Sequence, residues 1–202
     1  MLAAGGAIKA MEIAREEPAF SLMRPPGHHA THSALGGFCY FNNIAIAVER
    51  AIRESKAKTI AIVDIDAHHG NGTQDIFFER KNVLYVSLHQ AWIYPGTGMK
   101  SEANCLNFPL PAGTSDKEYM ETLKEALEHV RRFKPDMLAI SAGFDTLDED
   151  PLTGLMLSVN AYIEIGKMLS EVAEQRFAVL EGGYTRAMPL CVYNFLKGFC
   201  KE

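Results

Sequence analysis

The sequence predicts a three-layer α/β fold, in which helices cover both faces of a mainly parallel sheet. Three observations carry this expectation. Short apolar runs recur along the chain, several of them β-branched and apolar at successive positions, as strands buried on both faces require. Longer stretches between them repeat their apolar residues at helical spacing. The two kinds alternate, which is the order of an α/β sheet.

Taken from the amino end, Ala3 to Glu16 reads as a helix and Phe20–Met23 as a strand. Phe38 to Arg53 reads as a second helix, followed by strands at Thr59–Ile65 and Val83–Leu88. Ser115 and Glu118 have capping-box spacing, and Tyr119, Leu123, Leu127 and Val130 then fall on one helical face. A strand is expected at Met137–Ser141, a helix along the stripe Tyr162, Ile165, Leu169 and Val172, a strand at Phe177–Leu180, and a last helix after Arg186. There is no repeat, low-complexity segment or linker, so residues 1–202 are read as one domain.

Composition narrows the functional classes. The chain is 48% hydrophobic and 22% charged with a net charge of −5, close to an ordinary soluble domain, and no basic stretch marks a nucleic-acid footprint. No apolar run has the length of a bilayer span, and the apolar start from Met1 to Ile8 lacks a basic flank and a cleavage site, so it reads as helix rather than signal peptide. Cys39, Cys105, Cys191 and Cys200 form no Cys-x-x-Cys pair, which argues against a thiolate zinc site and for a reducing, cytoplasmic setting.

The chemistry-bearing residues follow the strands. His28 and His29 come after Phe20–Met23 through Pro25-Pro26-Gly27; Asp64, Asp66, His68 and Asn71 come at or after the second strand; Asp145 and Tyr184 come after two more. In open α/β sheets that edge is where ligands bind. Asp66 and His68 stand two apart, so in extended chain both face one way and reach one metal, with Asp145 as the third ligand. Three N/O ligands with an open position form the pattern of a catalytic zinc site, where a bound metal polarises a carbonyl and activates water. Read alone, Asp66 and His68 fit a structural cap equally well, and the His28-His29 pair fits a surface loop better than a site. His28 and His29 offer a general base and an electrostatic partner, Asp64 a carboxylate to orient His28, and Tyr184 a hydroxyl for an oxyanion. Phe38 after Gly36-Gly37, and Tyr94 in Tyr94-Pro95-Gly96-Thr97-Gly98, present aromatics that would wall a slot for an alkyl chain or simply pack their loops, and Trp92 and Ile93 would instead form an exposed apolar rim.

Taken together, Arg24–Ala30, Gly37–Asn42, Asp64–Gly72, Tyr94–Gly98, Gly143–Asp145 and Glu181–Tyr184 resemble, in order, the motifs of the histone deacetylase family, including its bacterial, archaeal and acetylpolyamine-hydrolysing members. The resemblance implies the arginase/deacetylase fold and removal of acetyl groups from lysine-like amines. It implies zinc, or Fe2+ or Co2+, on Asp66, His68 and Asp145, and the His28–His29 pair with His29 as general base and acid. It further implies Asn71 orienting His29, Tyr184 polarising the acetyl carbonyl, and Gly37, Phe38, Tyr94 and Gly183 against the substrate. A K+ or Na+ ion is implied at Asp64, Asp66, His68, Ser87 and Leu88, and a second at Phe77, Arg80 and Val83. Asn71 and Glu181 match the class II and prokaryotic branches. The implied partner is an acetylated lysine peptide or small acetylated amine, with no direct nucleic acid and no membrane, in cytoplasm or nucleus. Members carry roughly a hundred further residues before the His-His motif, a length comparable to a small domain. A truncated or split product, completed by another chain or by self-association, is therefore expected.

Two other readings compete. A two-metal ureohydrolase would share the fold but needs extra bridging carboxylates, and the position two after Asp145 is Leu147, with Asp148 pointing elsewhere. A non-catalytic acetyl-lysine-binding fragment would need no turnover, yet Tyr184, His28 and His29 are all retained.

Overall fold

The computed structural model describes residues 1–201. Six strands form one parallel sheet: β1 (Ala19–Ser21), β2 (Ile60–Asp64), β3 (Val83–Gln90), β4 (Cys105–Leu110), β5 (Met137–Ala142) and β6 (Arg176–Leu180). Their spatial order is β1-β6-β5-β2-β3-β4. The helices are α1 (Leu2–Ile13), α2 (Asn43–Arg53), α3 (Asn71–Phe77), α4 (Asp116–Phe133), α5 (Ala161–Ser170) and α6 (Met188–Phe199).

The pleat divides each central strand between two cores, because successive side chains point to opposite faces. Ile60 and Ile62 of β2, Met137 and Ala139 of β5 and Phe177 and Val179 of β6 join Ala7 and Met11 of α1 and Ile44, Val48 and Ala51 of α2. Ala61, Val63, Leu138, Ile140 and Ala178 face the other way, against Leu123 and Leu127 of α4, Tyr162 and Ile165 of α5 and Phe195 and Phe199 of α6. Every residue of β2, β3, β5 and β6 is buried, as the unbroken apolar runs require, whereas the edge strands β1 and β4 are only partly so.

Several boundaries differ from the sequence reading. The second helix starts at Asn43, not Phe38: Phe38 has φ 66°, in the left-handed region, and Asn42 caps the helix by accepting from Ala45 N–H at 3.1 Å. The Ser115–Glu118 capping box is present at the start of α4. Strand β4 and helix α3 are additional elements: β4 alternates buried and partly buried positions around Pro109, and α3 has seven residues and no side-chain cap.

Helices α5 and α6 cross at two glycines. A Cβ on Gly198 would fall on Ile163 O and lie 2.6 Å from Lys167 N, and one on Gly166 would fall on Phe195 O. Backbone meets backbone there, so added volume forces the helices apart. Gly198→Ala is expected to destabilise the fold by about 1–3 kcal/mol through overpacking. Gly5→Ala, on α1 where a Cβ meets nothing within 4 Å, is expected to stabilise it by roughly 0.5–1 kcal/mol. Urea denaturation of the two variants checks both signs.

Candidate active site

The sheet order reverses beside β2. The chain goes from β2 outward to β3 and β4 on one side, and returns through β5 and β6 on the other. The crevice between the carboxyl ends of β2 and β5 is the place where such a sheet binds ligands. Asp66 and His68 follow β2, Asp145 follows β5, and ligating atoms of all three lie within 4.8 Å of one another.

Strand pleating does not align Asp66 with His68, because β2 ends at Asp64. A turn does so: Asp66 Oδ1 accepts from His68 N–H at 2.9 Å, an Asx-type contact. Backbone donors secure the carboxylates, with Gly182 N–H on Asp66 Oδ2 at 2.7 Å and Ala67 N–H on Asp145 Oδ1 at 2.8 Å. His68 Nδ1 lies 3.1 Å from Asp66 Oδ1 and 3.0 Å from Asp145 Oδ2. A Cβ at Gly182 would strike Asp145 Oδ2 and stand 2.6 Å from Asp66 Oδ2, so a glycine is what leaves this space open.

The electrostatics of the cluster fit a divalent cation. Burial and the neighbouring charge of Asp66 push Asp145 up to about 7. Burial would lower His68, but the hydrogen bonds and charges of Asp145 and Asp66 outweigh it and raise it to about 10. Two buried carboxylates facing one imidazole thus concentrate proton, or cation, affinity at one point. One nitrogen and two carboxylate oxygens are the donor set that zinc and similar borderline ions accept. Leu147 is packed in the core and Asp148 is exposed, so neither joins this cluster as a bridge to a second ion.

His28 and His29 are buried with ring centroids 4.1 Å apart, but their surroundings pull them in opposite directions. His28 Nδ1 is 3.0 Å from Asp64 Oδ2. Burial alone would lower its pKa, yet Asp64, Asp66 and Glu181 hold it well above the usual histidine range. For His29, burial and then the charge of His28 push it down to about 3. His29 Nδ1 is 2.8 Å from Asn71 Oδ1, which can only accept, so the ring proton belongs on Nδ1 and the Nε2 lone pair is left for a substrate proton. Glu181 lies beneath this pair, its carboxylate accepting from Gly27 N–H at 2.7 Å, His28 N–H at 3.1 Å and the Ser141 hydroxyl at 3.1 Å.

Above the cluster is a cavity of ≈ 350 Å³ whose wall includes His29, Gly37, Phe38, Tyr94, Leu152 and Tyr184. Tyr94 meets His29 edge-on at 5.1 Å, and Phe38 meets Tyr184 at 6.0 Å. Burial, then Asp66 and Asp145, raise the Tyr184 phenol, which keeps its proton for donation. Gly37 is pressed on His29, where any Cβ would strike the ring.

The other expected site residues divide. Gly183 is not in the cavity wall, which uses Gly182; the Gly183 carbonyl instead accepts from Arg24 at 2.9 Å. Of the first expected monovalent site, Asp64 at the end of β2 and Ser87 within β3 are register partners, and the Ser87 hydroxyl is 2.8 Å from His89 Nδ1. At the second expected site, the carbonyls of Phe77, Val83 and Arg80 converge, but the amide of Asn104 fills their centre, donating at 2.8, 2.8 and 3.3 Å. An amide nitrogen with two hydrogens supplies the positive charge density that a cation would bring.

Sequence reasoning gave no role to Asp150 or Leu152. Asp150 is buried and accepts from Tyr184 N–H at 2.9 Å and Leu152 N–H at 3.0 Å, so it fixes the tyrosine's backbone. In the sequence it ends the acidic run Asp148-Glu149-Asp150, and nothing there distinguishes it from its two exposed neighbours. The Arg24 cation lies 5.6 Å from the centre of the Tyr184 ring, a contact only the fold creates.

Residues 1–198 match the histone deacetylase domain family. A probable deacetylase of Archaeoglobus fulgidus is 45% identical over 92% of this chain and 56% of its own length. Acetylpolyamine amidohydrolase 2 of Pseudomonas aeruginosa is 38% identical over 89% of this chain and 55% of its own. Among solved structures, the acetylpolyamine aminohydrolase of Burkholderia pseudomallei superposes with a TM-score of 0.91 at 34% identity, covering 98% of this chain and 61% of that one. The HDA15 HD domain gives a TM-score of 0.92 at 36% identity, with 100% and 62% covered. The chain thus spans about half the length of the curated relatives it matches, and its sheet is that of the arginase/deacetylase fold. By sequence, by fold and by the order of its motifs, this chain belongs to the histone deacetylase family.

Proposed function

We propose that the chain forms the core of a zinc-dependent hydrolase that removes the acetyl group from acetyl-lysine or a similar acetylated amine. The observation that carries this reading is convergence: Asp66, His68, His28, His29 and Tyr184 line one narrow cavity flanked by Phe38 and Tyr94. Its relatives include enzymes named for acetylpolyamines, which supports an acetylated alkylamine as the substrate class. A zinc ion on Asp66, His68 and Asp145 would supply Lewis-acid polarisation of the amide and water activation.

The chain's own groups then divide the work. Phe38 and Tyr94 hold the alkyl chain and exclude water from it. Tyr184, kept as a phenol, donates to the carbonyl oxygen as negative charge develops there. His29 takes the proton of the attacking water at Nε2, with its Nδ1–H held on Asn71 Oδ1 at 2.8 Å, and returns that proton to the leaving amine. His28, charged and held on Asp64 at 3.0 Å, keeps positive charge beside the forming anion and keeps His29 neutral until it acts.

Two experiments test the reading. Zinc added to metal-stripped protein is expected to raise the melting temperature, with about 2.7 kcal/mol of added stability at a hundredfold excess over Kd. Asp145→Ala should abolish that rise, and a rise retained in this variant would place the ion elsewhere. Tyr184→Phe should lower turnover of a fluorogenic acetyl-lysine peptide by about 10²-fold or more while leaving the zinc-dependent shift intact. An unchanged turnover number would remove Tyr184 from the reaction.

A further inference from the structure

Outside the cavity lies a second pair of histidines for which the reaction has no use. His69 and His89 are 2% and 1% exposed, and their ring centroids are 4.8 Å apart. His69 Nε2 is 3.0 Å from Gln74 Oε1 and its Nδ1 is 2.7 Å from the Thr97 hydroxyl. His89 Nε2 is 3.0 Å from the Gly98 carbonyl and its Nδ1 is 2.8 Å from the Ser87 hydroxyl. Oε1 of Gln74 and the carbonyl of Gly98 can only accept, so each ring carries its proton on Nε2 and accepts a hydroxyl at Nδ1. Both nitrogens of each ring are therefore bonded.

What they grip is the loop between β3 and β4. Thr97 and Gly98 are adjacent in it, and Gly98, at φ 76°, is wedged against both rings: a Cβ there would lie 2.6 Å from His69 Cδ2 and 2.7 Å from His89 Nε2. The loop is otherwise largely exposed, with Trp92, Tyr94 and Met99 open to solvent. Three residues before Thr97 it carries Tyr94, which forms a wall of the cavity and packs edge-on against His29 at 5.1 Å. The two imidazoles thus join the buried sheet end to an exposed span whose aromatic lies within contact distance of the cavity.

We infer that His69 and His89 are positioning residues: a buried double clasp on Thr97 and Gly98 that holds Tyr94 against the cavity and so sets how tightly the alkyl chain of the substrate is gripped. This rests on the proposed acetyl-amine reading for its kinetic consequence, but the clasp itself has a readout that needs no turnover. The chain has a single tryptophan, Trp92, and it sits in this loop with 85% of its surface exposed.

The test uses Thr97→Val, which removes a hydroxyl from an exposed residue, with Thr97→Ser restoring it; His89→Phe and His89→Gln form a second pair. Fluorescence anisotropy of Trp92 should fall in Thr97→Val and return in Thr97→Ser, with the far-UV melting curve unchanged. On an acetyl-lysine peptide, KM should rise by about tenfold while kcat stays within about twofold, as loss of one half-buried hydrogen bond acting on substrate grip predicts. In a double-mutant cycle, Thr97→Val should add nothing to Tyr94→Ala, because it acts through Tyr94. Unaltered anisotropy in Thr97→Val, or losses that simply add to those of Tyr94→Ala, would overturn the clasp. If the parent protein turns over neither the peptide nor an acetylated polyamine, the acetyl-amine reading fails and the anisotropy alone decides the clasp. If His89→Phe does not fold, the Thr97 pair decides it.

Discussion

Four carboxylates, Asp64, Asp66, Asp145 and Glu181, are buried together at one edge of a parallel sheet, and the rest of the site is arranged to make that tolerable. An ionised carboxylate without partners cannot remain in such a place. Here each is bonded to backbone N–H groups or to a histidine: Asp66 N–H on Asp64, Gly182 N–H on Asp66, Ala67 N–H on Asp145, Gly27 and His28 N–H on Glu181. The glycines at 143 and 182 are what let the backbone come close enough, since a Cβ at either would enter the Asp66 carboxylate. Charge compensation by backbone and histidine therefore shapes the loops, and through them the cavity.

The same acids divide the labour between the two adjacent histidines. His28 lies among Asp64, Asp66 and Glu181 and holds a proton; His29 is one residue on, bonded to a neutral amide, and loses its proton because it is buried beside a charged neighbour. Two identical side chains thus differ in protonation, His28 bonded to the carboxylate of Asp64 and His29 to the neutral amide of Asn71. This is how a site keeps two titratable groups in different protonation states at one pH.

Much of this was legible in the sequence, and the misses have physical reasons. Central strands were found because burial on both faces forces continuous apolar runs, and α4 because its capping box and stripe agree. Strand β4 escaped because an edge strand is only partly buried, and here it also contains Pro109. Helix α3 escaped because seven residues without a cap give too little periodicity to read. Phe38 does not belong to the helix expected from it onward, because its left-handed backbone after Gly36-Gly37 turns it toward the cavity mouth. Asp66 and His68 do come together, but a side-chain turn rather than the strand pleat aligns them.

By itself the sequence determined which chemistry-bearing residues follow which strands, since period-2 burial and turn residues are local properties. It also determined that the site lies at one sheet edge, because parallel strands must all end on the same side. Only the tertiary structure decided which of those ends are neighbours. The crossing from β2 to β5 brings Asp145 to Asp66 across a sequence separation of 79, and the return of β6 brings Gly182, Glu181 and Tyr184 beneath and beside them. It also decided the surroundings that set protonation and fit: the burial of Asp150 among acids that read alike, the Asn104 amide in a carbonyl cage, and the histidine clasp on Thr97 and Gly98. Each of these depends on the distance between segments far apart in the chain, and neither periodicity nor motif spacing carries that distance.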